Sequence, residues 1–449
     1  MALSGLQIFK VLPKTNCKDC GYATCMAFAL QLAAGKTELG ACSHLAPEVA
    51  ATLAEVSAPA VRRVEFGPAS APLVIGEDTV LYRHEKRFEH KPVLAARLDD
   101  STSDADVGRV MRTLRDQSFE RVGDVLRIGA VVVASGDAAT LAERSRRVVE
   151  DTACAVILQS EDPAVLRAAA EGLSGHRPLL WGAARDGFEA IAQIAVDHAL
   201  PLVVKGSSLD ELAELGRRCL GMGLAQVVLD PLVATVRDAL TAQVLLRRAA
   251  VRDRDKNLGF PIIASPYLLP GDALLKTVFA AVLIAKYAGI VVVDDLDPGH
   301  VLPLLALSQG LYTDPQRPMM VDEGLYPIGD PGPASPVLLT TNFSLTYYTV
   351  AGEIENSKVP AWLLVMDVEG QSVLTAWAAG KFVPEAIGPF VTRSGVAERV
   401  SRKQLIIPGY VANIRNELEE ELDGWEVVVG AREAADIPRF LKTRAEAGR

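Results

Sequence analysis

Between residues 93 and 295 the sequence repeats one rhythm eight times: a short β-branched run, a turn, then a helical pattern. The runs are VLAARLD (93–99), IGAVVVA (128–134), CAVILQ (154–159), PLLW (178–181), PLVVK (201–205), QVVLD (226–230), PIIAS (261–265) and GIVVVDD (289–295). They are continuously apolar, not alternating, which predicts parallel strands covered on both faces. Helix starts are marked by Asp162-Pro163, an N-cap followed by proline at the first helical position, and by the Ser208/Glu211 capping box. Eight β/α units over roughly 250 residues match a closed (β/α)8 TIM-type barrel, assigned here to residues 73–325. An open, doubly wound sheet of the same strands is the alternative.

Breaker-rich stretches flank this region, SAPAVRRVEFGPASAP (57–72) and YPIGDPGPASP (326–336), and both read as linkers. Beyond the second, VLLTTN (337–342), AWLLVMDV (361–368), QLIIPGY (404–410) and WEVVVG (425–430) each precede a helical pattern. Four such units predict a small Rossmann-like α/β domain over 337–449. A net charge of −10 across 449 residues argues against nucleic acid, whose phosphates demand a basic face. The N-terminal residues have no basic region followed by a sustained apolar run, so no signal peptide is read. The most apolar stretch, residues 277–295, is interrupted by Lys286 and reads as a buried helix followed by a strand, not a membrane span. The expectation is a soluble, cytoplasmic protein.

Four of the six cysteines fall in residues 1–57, as Cys17-x2-Cys20-x4-Cys25-x16-Cys42. In a reducing compartment such clustering suggests metal or redox chemistry more than disulfides. TCMAFALQLAA (24–34) predicts a helix stopped at Gly35, about 16 Å long. The return to Cys42 can span about 25 Å, enough to rejoin the loop that carries the other thiols. Cys25 at the helix start sits where free N–H groups favour an anionic thiolate. A compact triad with one distant fourth ligand suits a 4Fe–4S cubane, one cysteine per iron corner. Zinc, usually held by two knuckles of paired cysteines, and four unrelated thiols are the alternatives. Cys154 and Cys219 stand alone and read as buried free thiols.

The stretches TNCKDCGYATCMAFALQLAAGK (15–36) with GAC (40–42), TTNFSLTYYTVAGEIE (340–355), VMDVEGQSVLTAWAAGKF (365–382) and QLIIPGYVANIRNELEEEL (404–422) resemble the large (gamma) subunit family of corrinoid iron–sulfur proteins of the anaerobic acetyl-CoA pathway. The resemblance runs along the whole chain in the order cluster domain, barrel, Rossmann-like domain. It implies a 4Fe–4S cluster on Cys17, Cys20, Cys25 and Cys42, and a cobalamin in the C-terminal domain. The six histidines, at 44, 84, 90, 176, 198 and 300, leave none in that domain, and D-x-H-x-x-G is absent. Taken alone, this favours a non-cobalamin ligand; taken with the resemblance, it implies a base-off corrinoid without a histidine below the cobalt, whose reduction to Co(I) is eased by the missing axial nitrogen. The cluster then returns the electron lost when Co(I) decays to Co(II).

Ligands of parallel α/β sheets sit beyond the carboxyl ends of the strands. That rule and the resemblance point to Thr340, Thr341, Asn342 and Thr346, then Gly370, Gln371, Ser372, Val373, Leu374 and Thr375. Pro408, Gly409, Tyr410, Gly430, Ala431 and Glu433 complete the set. Thr375 is the candidate for the lower side of cobalt. The implied activity is methyl carriage from methyltetrahydrofolate, through a separate methyltransferase, to acetyl-CoA synthase. Implied partners are a small subunit in a heterodimer, those two enzymes and an electron donor or reductive activator, with no nucleic acid or membrane. Motion of both end domains about the barrel, through the two linkers, is expected. At the barrel, Asp99, Asp100, Lys205, Asp230, Asp294 and Asp295 mark the strand ends, where scaffold and docking duty is expected over pocket chemistry. The alternatives are a methyltransferase with a pterin in its own barrel, and an electron-transfer protein without cobalamin. Against a nucleotide or flavin, neither β/α region carries G-x-G-x-x-G after its first strand. A zinc-stabilised interaction module is a further alternative.

Overall fold

The computed structural model describes residues 5–33, 37, 39–46, 49, 59–314 and 318–447. Gly35 and residues 57–58 lie outside the described residues. The chain divides into two compact units, one taking in most residues to Tyr312 and the other Thr313–Arg449 with the short segment Glu120–Asp124.

In the first unit, strands Val93–Leu98, Ala130–Ala134, Ala155–Gln159, Leu179–Ala183, Leu202–Gly206, Val227–Pro231, Ile262–Ala264 and Ala288–Val293 close into one parallel barrel. Closure is direct: Ile290 to Val293 pair with Val93 to Ala96, which removes the open-sheet alternative. The continuous apolar runs are sorted by the two-residue period of the strand. Ala95, Val132, Ile157, Trp181, Val203, Val228, Ile263 and Val292 point to the barrel interior. Their neighbours, including Ala96, Val131, Leu158, Leu180, Val204 and Leu229, pack against the outer helices. Asp162 caps its helix through the Ala164 N–H at 2.8 Å. Ser208 accepts from the Glu211 N–H, while the Glu211 carboxylate reaches back one residue further, to the Ser207 N–H at 2.8 Å.

The segment read as the first linker is largely built into this unit. Val64–Phe66 and Leu73–Ile75 form an antiparallel hairpin whose Val64, Phe66 and Ile75 are fully buried in the interior cluster. The Gly67 N–H donates to Arg177 O at 2.9 Å and the Glu65 N–H to Gln226 Oε1 at 3.1 Å. Both acceptors lie just before the amino ends of barrel strands, so the hairpin plugs that end. Gly76, at φ +94°, turns the chain away where a Cβ would stand 2.0 Å from Arg62 O. The hairpin was hidden because its strands are three residues long and set among proline, alanine and glycine.

The second unit holds a five-stranded sheet in the order Gly324–Ile328, Ala361–Met366, Val337–Thr341, Gln404–Ile407, Glu426–Val429. The last four are parallel, and Gly324–Ile328 runs antiparallel at the edge, with Gly324 opposite Val365 and Ile328 opposite Ala361. The second predicted linker therefore begins inside a strand. Its remainder is also tied down, with Pro333 O accepting from the Ser401 N–H at 2.8 Å. Helices Ser344–Ser357 and Ile437–Ala447 cover one face of the sheet, over Leu338, Leu363, Val365 and Ile406. Helices Pro384–Arg393 and Arg415–Glu421 cover the other, over Leu339, Leu364, Leu405 and Ile407. The chain passes from Val337–Thr341 to one side and later returns on the other at Gln404–Ile407. The carboxyl ends of those two strands thus flank a topological switch point, where doubly wound sheets open a crevice.

The N-terminal residues form helices Gly5–Val11 and Cys25–Ala33, packed through Ile8, Leu12, Phe28 and Ala29. Thr24 opens the second helix by accepting from the Ala27 N–H at 3.1 Å.

Truncating Phe66 to alanine removes a wholly buried ring from the barrel plug and is expected to cost about 3–5 kcal/mol in urea unfolding. A side chain on a free tether would cost nothing measurable.

Candidate cofactor and metal sites

The loop before helix Cys25–Ala33 is wound by left-handed residues, Lys14, Asn16, Lys18 and Gly21. Asn16 pins it to the helix by accepting the Cys25 N–H at 2.8 Å. Cys25 is buried, Cys20 and Cys42 are half-buried, and all three pack in one apolar cluster with Phe28 and Tyr22. Cys17 is exposed, yet its sulfur lies within 4.8 Å of ligand atoms of Asp19 and His44. His44 follows Cys42 by two positions, so the segment that carries the last cysteine returns to the loop of the first at Asp19. The His44 imidazole, 2.5 Å from Asp19, holds that carboxyl below its usual range, with the Cys17 thiol adding to the effect. Three thiols in an apolar shell, with exposed Cys17 nearby in the chain, are donors of the kind an iron–sulfur cluster takes. Cys154 and Cys219 differ: burial raises both thiols, Cys219 to about 12, and leaves them inert small apolar groups.

At the switch point of the second unit a crevice of about 340 Å3 opens between the sheet and helices Ser344–Ser357 and Ile437–Ala447. Of the residues singled out above, Thr340, Thr346, Ser372, Val373, Leu374, Pro408, Tyr410, Gly430 and Ala431 line it. Its floor is apolar, with Leu339, Ile406, Val350 and Phe440, and Arg432 is the single charged residue of the lining. Neither Arg432 nor Phe440 was anticipated. Phe440 belongs to a helix with no predicted role, and Arg432 is one of many surface arginines.

The other candidates surround the crevice without lining it. Asn342 is spent on architecture: its Oδ1 accepts from the Val368 and Gly370 N–H groups at 3.1 Å each, and its Nδ2 donates to Asp367 at 2.8 Å. Gly370 is required there, at φ +69° with Met320 Cγ 2.6 Å from where a Cβ would be. Gly409 lets two backbones meet, since a Cβ would stand 2.6 Å from Gly430 O. Thr375 is exposed on the first turn of helix Val373–Ala378, its hydroxyl 3.0 Å from that of Ser372. At the rim the Tyr410 hydroxyl donates to the Glu433 carboxylate, which raises the phenol above its ordinary range.

Three polar atoms in this region are buried and unpartnered among the described residues: Thr340 Oγ1, Thr341 Oγ1 and Gln371 Oε1. Native interiors leave few such groups, because each costs about 1–3 kcal/mol. Hydroxyls and an amide oxygen kept dry beside an apolar crevice suit a large ligand that carries its own amides.

The strand-end residues of the barrel separate into two kinds. Asp99 accepts from Ser101 and Arg97, Asp100 from the Gly136 N–H, Asp294 pairs with Lys276 at 2.9 Å and Asp295 with His300 at 2.6 Å. Lys205 pairs with Glu161 at 2.9 Å. All five are local caps or ion pairs. Asp230 alone is buried, 6% exposed, with Trp181 Nε1 donating to its Oδ2 at 2.9 Å. Burial pushes its carboxyl up to about 6.

Comparisons with known proteins bear on all three places. A family profile described as CO dehydrogenase/acetyl-CoA synthase delta subunit matches residues 63–441, and one described as a putative Fe-S cluster matches residues 12–44. The corrinoid/iron-sulfur protein large subunit of Moorella thermoacetica is 39% identical, over 98% of this chain and 99% of its own. The acetyl-CoA decarbonylase/synthase complex subunit gamma of Methanothermobacter thermautotrophicus is 36% identical over the same shares. Its counterpart in Methanocaldococcus jannaschii is 32% identical, over 98% of this chain and 96% of its own.

Asp230 sets a pH dependence of stability. Below about pH 4 its carboxyl is protonated in folded and unfolded chains alike. As pH rises the unfolded chain releases its proton first, while the folded chain holds it to about 6. Stability therefore falls across that window by about 2–3 kcal/mol and stays lower above it. Asp230→Asn is expected to flatten that fall in denaturant titrations and to make the chain more stable than the parent at pH 7.5.

Proposed function

The chain belongs to the CO dehydrogenase/acetyl-CoA synthase delta-subunit family, among the large subunits of corrinoid/iron–sulfur proteins, and we propose that it is a methyl carrier holding a corrinoid at the C-terminal crevice and a 4Fe–4S cluster on Cys17, Cys20, Cys25 and Cys42. The observation that carries the reading is the buried, unpartnered hydroxyl of Thr340 on the wall of an apolar crevice at a switch point. When bound, the corrinoid supplies a cobalt nucleophile that takes up and releases a methyl group, and the cluster supplies the electron that restores it.

What the chain itself contributes follows from its residues. The Thr340 hydroxyl offers a hydrogen bond that is already desolvated, so it would gain from a ligand's amide without first losing water. Leu339, Ile406, Val350 and Phe440 would receive apolar edges, and Arg432 would pair with the anionic phosphate of a corrinoid's nucleotide tail. A crevice of about 340 Å3 takes an edge or the tail and leaves the macrocycle's face open to partner enzymes. No histidine follows His300, so residues 301–449 would offer no imidazole to a bound corrinoid. At the other site Asn16 takes up the Cys25 N–H and fixes the thiol-bearing loop to the start of helix Cys25–Ala33.

Partners in this reading are a small subunit forming a heterodimer, a methyltetrahydrofolate methyltransferase as donor, acetyl-CoA synthase as acceptor and a reductive activator. The setting is the cytoplasm, and among the described residues no helix is long and apolar enough to cross a membrane.

Metal analysis of chain purified without oxygen is expected to give about four irons and one cobalt, with a corrinoid spectrum unchanged by acid. Iron without cobalt, even after incubation with cobalamin, would leave an iron–sulfur electron carrier and end the methyl-carrier reading. Cys42→Ser should lose iron and keep corrinoid. Thr340→Val should do the reverse, weakening corrinoid about 3–10-fold while stabilising the empty chain by about 1 kcal/mol, since it removes an unpaired buried hydroxyl.

A further inference from the structure

The methyl-carrier reading gives the barrel no ligand, yet the carboxyl ends of its strands are not packed shut. Gln159, Trp181, Lys205, Asp230 and Ser265 come from five consecutive strands around the barrel and line one cavity of about 360 Å3. At the opposite end the hairpin Val64–Ile75 fills the interior with Val64, Phe66 and Ile75. A barrel serving only as scaffold has every reason to fill both ends.

The chemistry of this cavity is uneven in an informative way. Its walls are mostly apolar, from Val233, Ile263, Leu269 and Leu283, with the rings of Trp181 and Tyr267. Tyr267 is steadied by the Arg97 guanidinium, 4.6 Å from the ring centre. Within these walls sits the carboxylate of Asp230, 6% exposed. The neighbouring cations are engaged elsewhere, Lys205 with Glu161 at 2.9 Å, and Arg97 with Asp99 at 3.2 Å and Gln159 at 2.6 Å. Among the described residues Trp181 supplies the one hydrogen bond to the Asp230 side chain. Ser265 Oγ, also in the lining, is buried beside the Tyr267 hydroxyl with no other hydrogen-bond partner among the described residues. Burying a carboxylate with a single neutral donor costs stability, and a chain selected for rigidity alone has no use for it.

We propose that the mouth of the barrel is a second small-molecule site, which takes a flat, uncharged nitrogen heterocycle presenting adjacent N–H donors to Asp230. The carboxylate's remaining lone pairs accept that edge in parallel, as a carboxylate accepts the fork of a guanidinium. Ser265 meets a ring heteroatom, and Trp181 and Tyr267 supply flat walls. Asp230 repels anions, so phosphates and carboxylic acids are excluded from the inner part of the site. The mouth stays open, rimmed by Leu232 and Leu268 at 48% and 64% exposure, so a substituent on the ring can extend outward. This site lies wholly within the first unit and stands on strand-end geometry, independent of whether the second unit binds a corrinoid.

Isothermal titration of the full chain tests the assignment, with guanosine as the probe and inosine, which lacks the 2-amino group, as its control. Guanosine is expected to bind with a dissociation constant in the millimolar range or below, and inosine at least fivefold more weakly. Asp230→Asn, which keeps an acceptor for Trp181 but replaces half the carboxylate with a donor, should weaken guanosine at least tenfold. Ser265→Ala, a milder change, should weaken it about threefold and covers the case in which the Asp230 variant does not fold. No heat from guanosine at several millimolar, equal affinity for the two nucleosides, or undiminished binding by the folded Asp230→Asn and Ser265→Ala variants would each overturn the proposal.

Discussion

Closure of the barrel between Ala288–Val293 and Val93–Leu98 is the constraint on which the first unit depends. A parallel sheet left open must protect two edges, and closing it removes both. Closure also divides each continuous apolar strand into an inward set and an outward set. The inward residues need filling from the ends, which the Val64–Ile75 hairpin does at one of them. The outward residues need eight covering segments, which fixes the alternation of strand and helix along the chain. What remains is a ring of strand ends at the opposite mouth, where side chains from distant parts of the sequence are brought together.

The second unit solves the same packing problem without closing. Its parallel strands are covered by helices on both faces, and its outer edge is guarded by the antiparallel strand Gly324–Ile328. Pro327 sits in that strand and lacks a ladder donor, as suits an edge. Because the sheet is open, the chain must reverse its direction of winding, and the reversal leaves the crevice at Thr340 and Pro408. Closed and open sheets thus generate cavities by different rules, one at a barrel mouth and one at a switch point. Both sites hold buried polar atoms that the fold itself does not satisfy.

The elements that sequence patterns revealed share one property: their residues are continuous in the chain and repeat a local period. All eight barrel strands and the four parallel strands of the second unit were legible for that reason. So was helix Cys25–Ala33 behind the cysteine loop, which the pattern of residues 24–34 marks. The hairpin at Val64–Phe66 and the edge strand at Gly324–Ile328 were not, because each is short and sits among prolines and glycines that read as breakers. Asn342 was legible as a strand-end residue, but its use in shaping residues 367–370 depends on atoms contributed by another strand's loop. Among the acids at the barrel mouth, Asp230 could not be told from Asp99 or Asp294 by type or position.

The sequence by itself determined the longer strands and helices, the spacing of its cysteines, and that residues 301–449 contain no imidazole. Those are properties of residue type and spacing, which a one-dimensional pattern carries. Tertiary structure decided whether the strands close, which end of the barrel is plugged, and which polar side chains remain without partners. Each of these turns on the meeting of residues far apart in the chain, such as Trp181 with Asp230 and Gly67 with Arg177. Burial and hydrogen-bond satisfaction are relations between surfaces, so they come into being only when the surfaces are assembled.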